Sequence, residues 1–438
     1  MHRYGHANMI IAKALAVNAL NKPITYNDAI TCREAPKWKS AMKKEITSLH
    51  ENNTWKLITL LKDQKVLQGK WVYKKKTTEA STQYKAQWLI KGFMQWEGID
   101  YTETYASVIN KVTTKVIMAM AAIKKYYIEQ MNIVTAFLYG SVEEEVYVKQ
   151  LTDFMNERNK VCRLNKALYE LKQSLRAWYK IISATLLSLL FQRLQFDHGL
   201  FLNKERNTWI TLYVNDIHLI EPDKQYIETI KKELASHYWI KNLRLSSNYL
   251  ELKITRNREN RTLTISQKKY ISSVLAAHRM TDCSSVFTFM KAEMVLGKTE
   301  AEHESMQEFK MNYQSMLGSI MYIMLQTRPD IAYAISKLSQ FSSNLTKQHL
   351  QALKRVLRYL KGTKGLGLTY QKNEKRELVG WTDFSWACDI NDSRSTSEYL
   401  LQLNGAAVSW CSQKQLTVTK FICEAEYMGQ SDASSKIV

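Results

Sequence analysis

The sequence predicts a mixed α and β protein of two or three domains. Three observations carry that expectation. Apolar residues recur at helical spacing in several stretches, Trp38, Met42, Ile46 and Leu49 being the first. Other runs are rich in β-formers, as in residues 70–93 and 209–220. A length of 438 residues exceeds what one hydrophobic core usually serves.

The elements follow in order. Residues 1–35 carry no strong pattern and read as a lead-in. Pro36 suits a first helical turn and opens the Trp38–Leu49 stripe, with lysines between its apolar positions. Residues 70–93, KWVYKKKTTEASTQYKAQWLIKGF, read as a basic hairpin with its loop at Thr77–Thr82. A helix over 112–125 leads into a strand over 126–134. Residues 161–190 read as one long amphipathic helix with Leu168, Leu171, Leu175 and Trp178 on a stripe. A hairpin covers 209–220. Further helices are expected near 225–238, 267–279, 308–326, 330–343 and 347–361. From Glu377 the pattern turns to strands, then to a helix beginning near Cys423.

The charge is the strongest compositional signal. Lys and Arg number 62 against 41 Asp and Glu, a formal charge of +21. Such a surplus favours a polyanionic partner through phosphate contacts and counterion release. Lys74, Lys75, Lys76 and Lys85 interleave with Trp71, Tyr73, Tyr84 and Trp88, a pattern suited to phosphate and base contact. The plainer reading is a hairpin with lysines on its wet face. The six cysteines form no CxxC pair and no zinc spacing, which points to a reducing compartment inside the cell. No apolar run approaches the roughly 20 residues a membrane-spanning helix needs. Four prolines and 14 glycines are few for this length.

Two segments carry candidate chemistry. Residues 211–220, TLYVNDIHLI, have β-rich apolar arms around a polar tip at Asn215 and Asp216. Residues 130–138, QMNIVTAFL, supply a neighbouring strand with Asn132. A template-directed polymerase needs carboxylates on such elements to hold two divalent cations around an in-line displacement. By itself a YxND string is usually an ordinary turn.

The series of segments resembles the reverse transcriptase of copia-type retrotransposon polyproteins, from about Ile30 to the C-terminus. QYKAQWLIKGFMQWEGIDYTETYASV resembles the family's RYKARLVAKGFxQxxGIDYxETFSPV. QMNIVTAFLYGSVEEEVYVKQ resembles QMDVKTAFLxGxLxEEVYMxQP, and VCRLNKALYELKQSLRAWY resembles VCRLxKSLYGLKQAPRxWY. YVNDI resembles YVDDI, and residues 316–336 and 353–363 match the segments between polymerase and nuclease. The resemblance implies an α+β right-hand polymerase fold of fingers, palm and thumb or connection, followed by a truncated ribonuclease-H-like α/β lobe. Its divisions are a lead-in at 1–35, a reverse transcriptase at 36–300, a helical connection at 301–375 and the partial nuclease at 376–438.

The same resemblance assigns site residues. Asn132 and Asn215 stand where the family has catalytic Asp, and only Asp216 keeps its carboxylate. Phe137 falls at the sugar-edge gate, and Gln173 and Arg176 in the segment supporting the incoming nucleotide. Without the family, Phe137 reads as a core aromatic and Gln173 as a helix-surface amide. Lys85 lies on the hairpin that meets the phosphates, with Gln87 in place of an expected Arg. In the nuclease lobe Asp383 is the first metal ligand and Glu426 the helix ligand, with Glu424 the near alternative. Magnesium at both ancestral sites, a template-primer of RNA or DNA and deoxynucleotides are the implied cofactor and partners, in a cytoplasmic particle or the nucleus. The family's remaining nuclease acids fall beyond Val438.

The departures share a direction. Asn132, Asn215, Gln87, Glu170, Glu398 and Asp153 each differ from the family residue by one G-to-A change. Leu151, Leu175, Ser107, Phe421 and Ile422 each differ by one C-to-T change. Val134 fits neither. Cytosine deamination read on both strands is the expectation; it would drain glycine and proline, and the low counts of both fit. Glu170 and Glu398 are expected to occupy positions suited to a bare backbone. The expectation is a reverse-transcriptase homologue that has lost activity. The alternatives are a still active polymerase and a nucleic-acid-binding protein without catalysis.

Overall fold

The computed structural model describes residues 23–60, 64–77, 82–151, 154, 159–244, 248–291, 296–297, 306–372 and 377–437. Most of the predicted lead-in, the 78–81 hairpin loop and Asp153 lie outside these. Along the chain, α1 (Tyr26–Thr31) is closed by a Thr25–Asp28 capping box, and α2 (Ala35–Glu51) carries Pro36 in its first turn. Strands β1 (Trp55–Thr59), β2 (Val66–Leu67), β3 (Gly69–Thr77) and β4 (Thr82–Ile90) follow. Next come α3 (Lys111–Ile123), β5 (Tyr127–Ile133), β6 (Tyr147–Val148), β7 (Lys160–Leu164) and α4 (Ser174–Ser188). Then β8 (Gln192–Arg193), β9 (Leu200–Asn203), β10 (Thr208–Tyr213), β11 (Asp216–Glu221), α5 (Lys224–His237) and β12 (Ile240–Arg244) complete this stretch.

The remainder begins with β13 (Asn248–Tyr249), β14 (Leu252–Asn257), β15 (Thr262–Ser266) and α6 (Lys268–Ala277). Helices α7 (Met306–Thr327), α8 (Ala332–Ser339) and α9 (Lys347–Gly362) precede β16 (Gly367–Gln371). The tail contains β17 (Leu378–Ser385), β18 (Thr396–Leu403), β19 (Ala406–Lys414) and α10 (Ile422–Ser434). No helix among the described residues is long and apolar enough to cross a membrane.

The described residues form two compact units, one within Asn21–Asn110 and Tyr127–Leu245, the other within Lys111–Tyr126 and Ser246–Val438. In the first unit, α2 presses the predicted Trp38, Met42, Ile46 and Leu49 stripe into a core with Trp71, Tyr73 and Trp88 of the β3–β4 hairpin. The four-stranded sheet β1-β7-β6-β2 closes that core with Leu67, Val148, Cys162 and Leu164. A second core backs the six-stranded sheet β12-β5-β11-β10-β9-β8. Trp178, Ile182 and Leu186 of α4 and Ile227, Ile230 and Leu234 of α5 pack there with Met131, Ile133, Ile217 and Leu219.

In the second unit, α6 to α9 share one core through Ile271, Val274, Ile320, Ile323, Ile335, Leu353 and Leu357. Beside it lies the antiparallel sheet β13-β14-β15-β16. The tail sheet β17-β18-β19 is antiparallel, with β17 at its edge among the described strands. Helix α10 packs on β17 and β18.

Four expectations are corrected. Residues 161–190 are not one helix, because Lys160–Leu164 pairs with β1 and β6, and the helix starts only at Ser174. Leu168 and Leu171 are buried, but from the connecting turn, and they enter the first core. Trp71, Tyr73 and Trp88 are buried and offer no stacking surface, while Tyr84 donates its hydroxyl to Glu34. Glu398 lies in a regular strand opposite Asp383 and needs no glycine backbone, unlike Glu170, whose φ is 69°.

Candidate active site

Strands β5, β10 and β11 bring the first constellation together. Thr208–Tyr213 and Asp216–Glu221 pair around a tip of Val214 and Asn215. Strand β5 lies antiparallel to β11, with Asn132 directly opposite Asp216 and Gln130 opposite His218. Cross-strand neighbours of this kind sit within side-chain reach. Asn132 Nδ2 donates to Asp216 Oδ1 at 3.0 Å, and Gln130 Nε2 donates to the same oxygen at 3.2 Å. The Asn215 carbonyl accepts the Ile133 N–H at 2.9 Å, tying the tip to β5 through backbone.

The tip is further held from below. Trp178 Nε1, on a wholly buried indole of α4, donates to the Val214 carbonyl at 2.7 Å. Val214 has φ 56°, a left-handed conformation that a β-branched residue rarely adopts. Burial raises the Tyr213 hydroxyl, and the Asp216 charge adds to the effect. His218 is fully enclosed, its Nδ1 3.2 Å from Thr211 Oγ1, and burial pushes its imidazole down to about 4.

The donor set does not match a two-cation site. Magnesium takes hard, preferably charged oxygen ligands, and here a single carboxylate stands between two neutral amides whose N–H groups point at it. Among the described residues no group of three His, Cys, Asp or Glu side chains is placed to hold a metal ion.

The other assigned residues of this unit have partners of their own. Phe137 is half-buried in a turn after β5, edge-on to Tyr169 at 5.4 Å. Gln173 is not a surface amide. It is buried at the start of α4, donating to Asp100 O at 2.9 Å and Glu144 Oε2 at 3.3 Å and accepting from Gln95 at 3.0 Å. Arg176 pairs with Glu103 and donates to the Tyr105 carbonyl at 3.2 Å. Lys85 is exposed on β4 across from Lys74. Its charge acts on Glu45, a carboxyl that burial pushes up to about 7 against the Trp88 N–H and Lys85.

The tail lobe holds the second candidate pair. Asp383 is exposed on β17, directly opposite Glu398, whose Oε1 accepts the Ser412 hydroxyl at 2.7 Å. Both line a cavity of about 500 Å³ with Phe289, Tyr333, Trp381 and Trp410. Glu426 is exposed on α10. Glu424 accepts the Lys420 N–H at 2.9 Å and serves as a local cap.

The sequence reading missed Gln130 and Trp178. Gln130 was findable, since two residues before Asn132 on a strand means the same face. No local signal marks Trp178 as the support of the tip.

Residues 52–292 match the reverse transcriptase (RNA-dependent DNA polymerase) family. The chain is 35% identical over 428 residues to a retrovirus-related Pol polyprotein from transposon TNT 1-94 of Nicotiana tabacum, covering 95% of this chain and 32% of that protein. It is 32% identical over 435 residues to a retrovirus-related Pol polyprotein from transposon RE1 of Arabidopsis thaliana, covering 97% and 29%. The chain thus spans about a third of the length of these curated relatives. A solved foamy viral protease-reverse transcriptase, in complex with double-stranded DNA, is similar at a TM-score of 0.49 and 12% identity, covering 92% of this chain and 60% of that one.

Proposed function

The chain belongs to the reverse transcriptase family of copia-type retrotransposon Pol polyproteins, and from that premise we propose that it holds nucleic acid without extending it. In this reading the first unit is fingers and palm, α6 to α9 are thumb and connection, and the tail is a ribonuclease-H-like lobe. Phe137, Gln173, Arg176 and Lys85 form the wall that faced a deoxynucleotide. Asp383 and Glu426 are the remaining nuclease acids.

The hydrogen bonds from Asn132 and Gln130 to Asp216 carry the reading. A polymerase centre must gather cations by negative charge. Here two carboxylates have become amides, and the surviving one accepts hydrogen bonds from neutral amide groups. Residues that work as one catalytic unit lose most of the rate when a single member is removed. Loss of two acids adds to the surplus positive charge, so binding outlasts joining.

Primer extension on an RNA template with magnesium or manganese tests this. Wild type should match Asp216→Ala, with no product above background. The double variant Asn132→Asp with Asn215→Asp should raise extension by roughly a thousandfold or more. Wild-type extension that Asp216→Ala abolishes would overturn the proposal.

A further inference from the structure

One short segment carries four large apolar side chains into solvent: Phe93 at 79% exposure, Trp96 at 61%, Ile99 at 65% and Tyr105 at 68%. Single exposed apolar residues are ordinary, whereas four large ones on one short segment point to an interaction surface. The segment is held by hydrogen bonds. Buried Asp100 accepts the Trp96 N–H at 2.7 Å and Lys65 Nζ at 2.8 Å on one carboxylate oxygen. The Asp100 N–H returns to the Trp96 carbonyl at 2.9 Å.

Lys65 does two things at once. Its ammonium also lies 3.8 Å from the centre of the Trp96 ring, so a cation caps the indole. Lys172 bonds the Tyr101 hydroxyl at 3.0 Å and lies 4.7 Å from that ring. Lys91 reaches Gln68 at 2.8 Å. Buried Gln173 anchors the whole turn through the Asp100 carbonyl and Gln95.

We propose that the face of Trp96 opposite Lys65, with Phe93 on the preceding turn, is a stacking platform for the bases of a single-stranded polynucleotide, and that Lys91 and Lys172 draw its backbone there. The proposal rests on the nucleic-acid reading above. Flat, rigid rings beside lysines suit nucleic acid, because every base has a face to stack and every linkage a charge to neutralise. The core of a protein-protein contact is instead depleted of lysine.

The test is fluorescence anisotropy of the full chain with labelled single-stranded RNA and DNA and a duplex of equal length, across a salt series. Trp96→Ala should weaken single-strand binding about tenfold, and Phe93→Ala less, with duplex binding unchanged. Trp96→Phe should keep most of the affinity. The salt slope should stay constant in Trp96→Ala and fall by about one unit in Lys91→Met. Circular dichroism guards against misfolding. Wild-type single-strand affinity in both alanine variants, with nucleic acid still bound, would overturn the platform and leave the proposed function standing. A wild type that binds no nucleic acid would overturn both. Loss of self-association in Trp96→Ala, with oligonucleotide binding intact, would name a second copy as occupant and overturn the proposal.

Discussion

His218 lies on β11, two residues beyond Asp216, and burial holds its imidazole near 4. Above pH 6.5 it is neutral in folded and unfolded chains alike. As pH falls from 6.5 towards 4 the unfolded chain takes the proton first, so stability is lost through that window. Between pH 7 and 4.5, wild type should lose on the order of 2–3 kcal/mol more than His218→Gln in urea melts. Equal losses would show that the imidazole protonates inside the fold without penalty. At this scale the sequence was partly legible. Asn132 and Asp216 were placed together because motif spacing marks a strand and a hairpin tip. The aromatic residues of the basic hairpin were misplaced, although alternation puts Trp71 and Tyr73 on one face and Lys74 on the other. Which face is wet depends on α2, which local sequence does not reveal.

The turn between β7 and α4 shows why the predicted long helix failed. Leu168, Leu171, Leu175 and Trp178 do have helical spacing, but strand pairing to β1 and β6 claims the first segment. Long-range pairing overrides a local period. The turn that results is tight. Glu170 has φ 69°, and its carbonyl would lie 2.0 Å from a Cβ on Gly92. Glu170→Gly should therefore stabilise the protein by about 1 kcal/mol. Gly92→Ala should cost roughly 3 kcal/mol, since backbone blocks the new methyl. Denaturant midpoints read both, and a destabilised Glu170→Gly would mean that the exposed side chain contributes contacts that outweigh its backbone strain.

Across the molecule, the split into two units could not be read from the chain, because Lys111–Tyr126 is grouped with residues far downstream. The mixed class was legible, since it needs only periodicity. One hazard is visible at this scale. Strand β17 is an edge among the described strands, with Leu378, Val379 and Trp381 exposed and neither lysine nor proline to blunt it. Such edges template pairing between molecules. Val379→Lys should slow aggregation several-fold in light scattering and leave the melting temperature unchanged; unaltered aggregation would place the sticky surface elsewhere. The indole beneath the Val214 carbonyl has a different consequence. It fixes the turn by a neutral bond, so the scaffold keeps its shape whether or not acids occupy it. On the proposed reading, acids restored at 132 and 215 would enter a turn whose support does not depend on them.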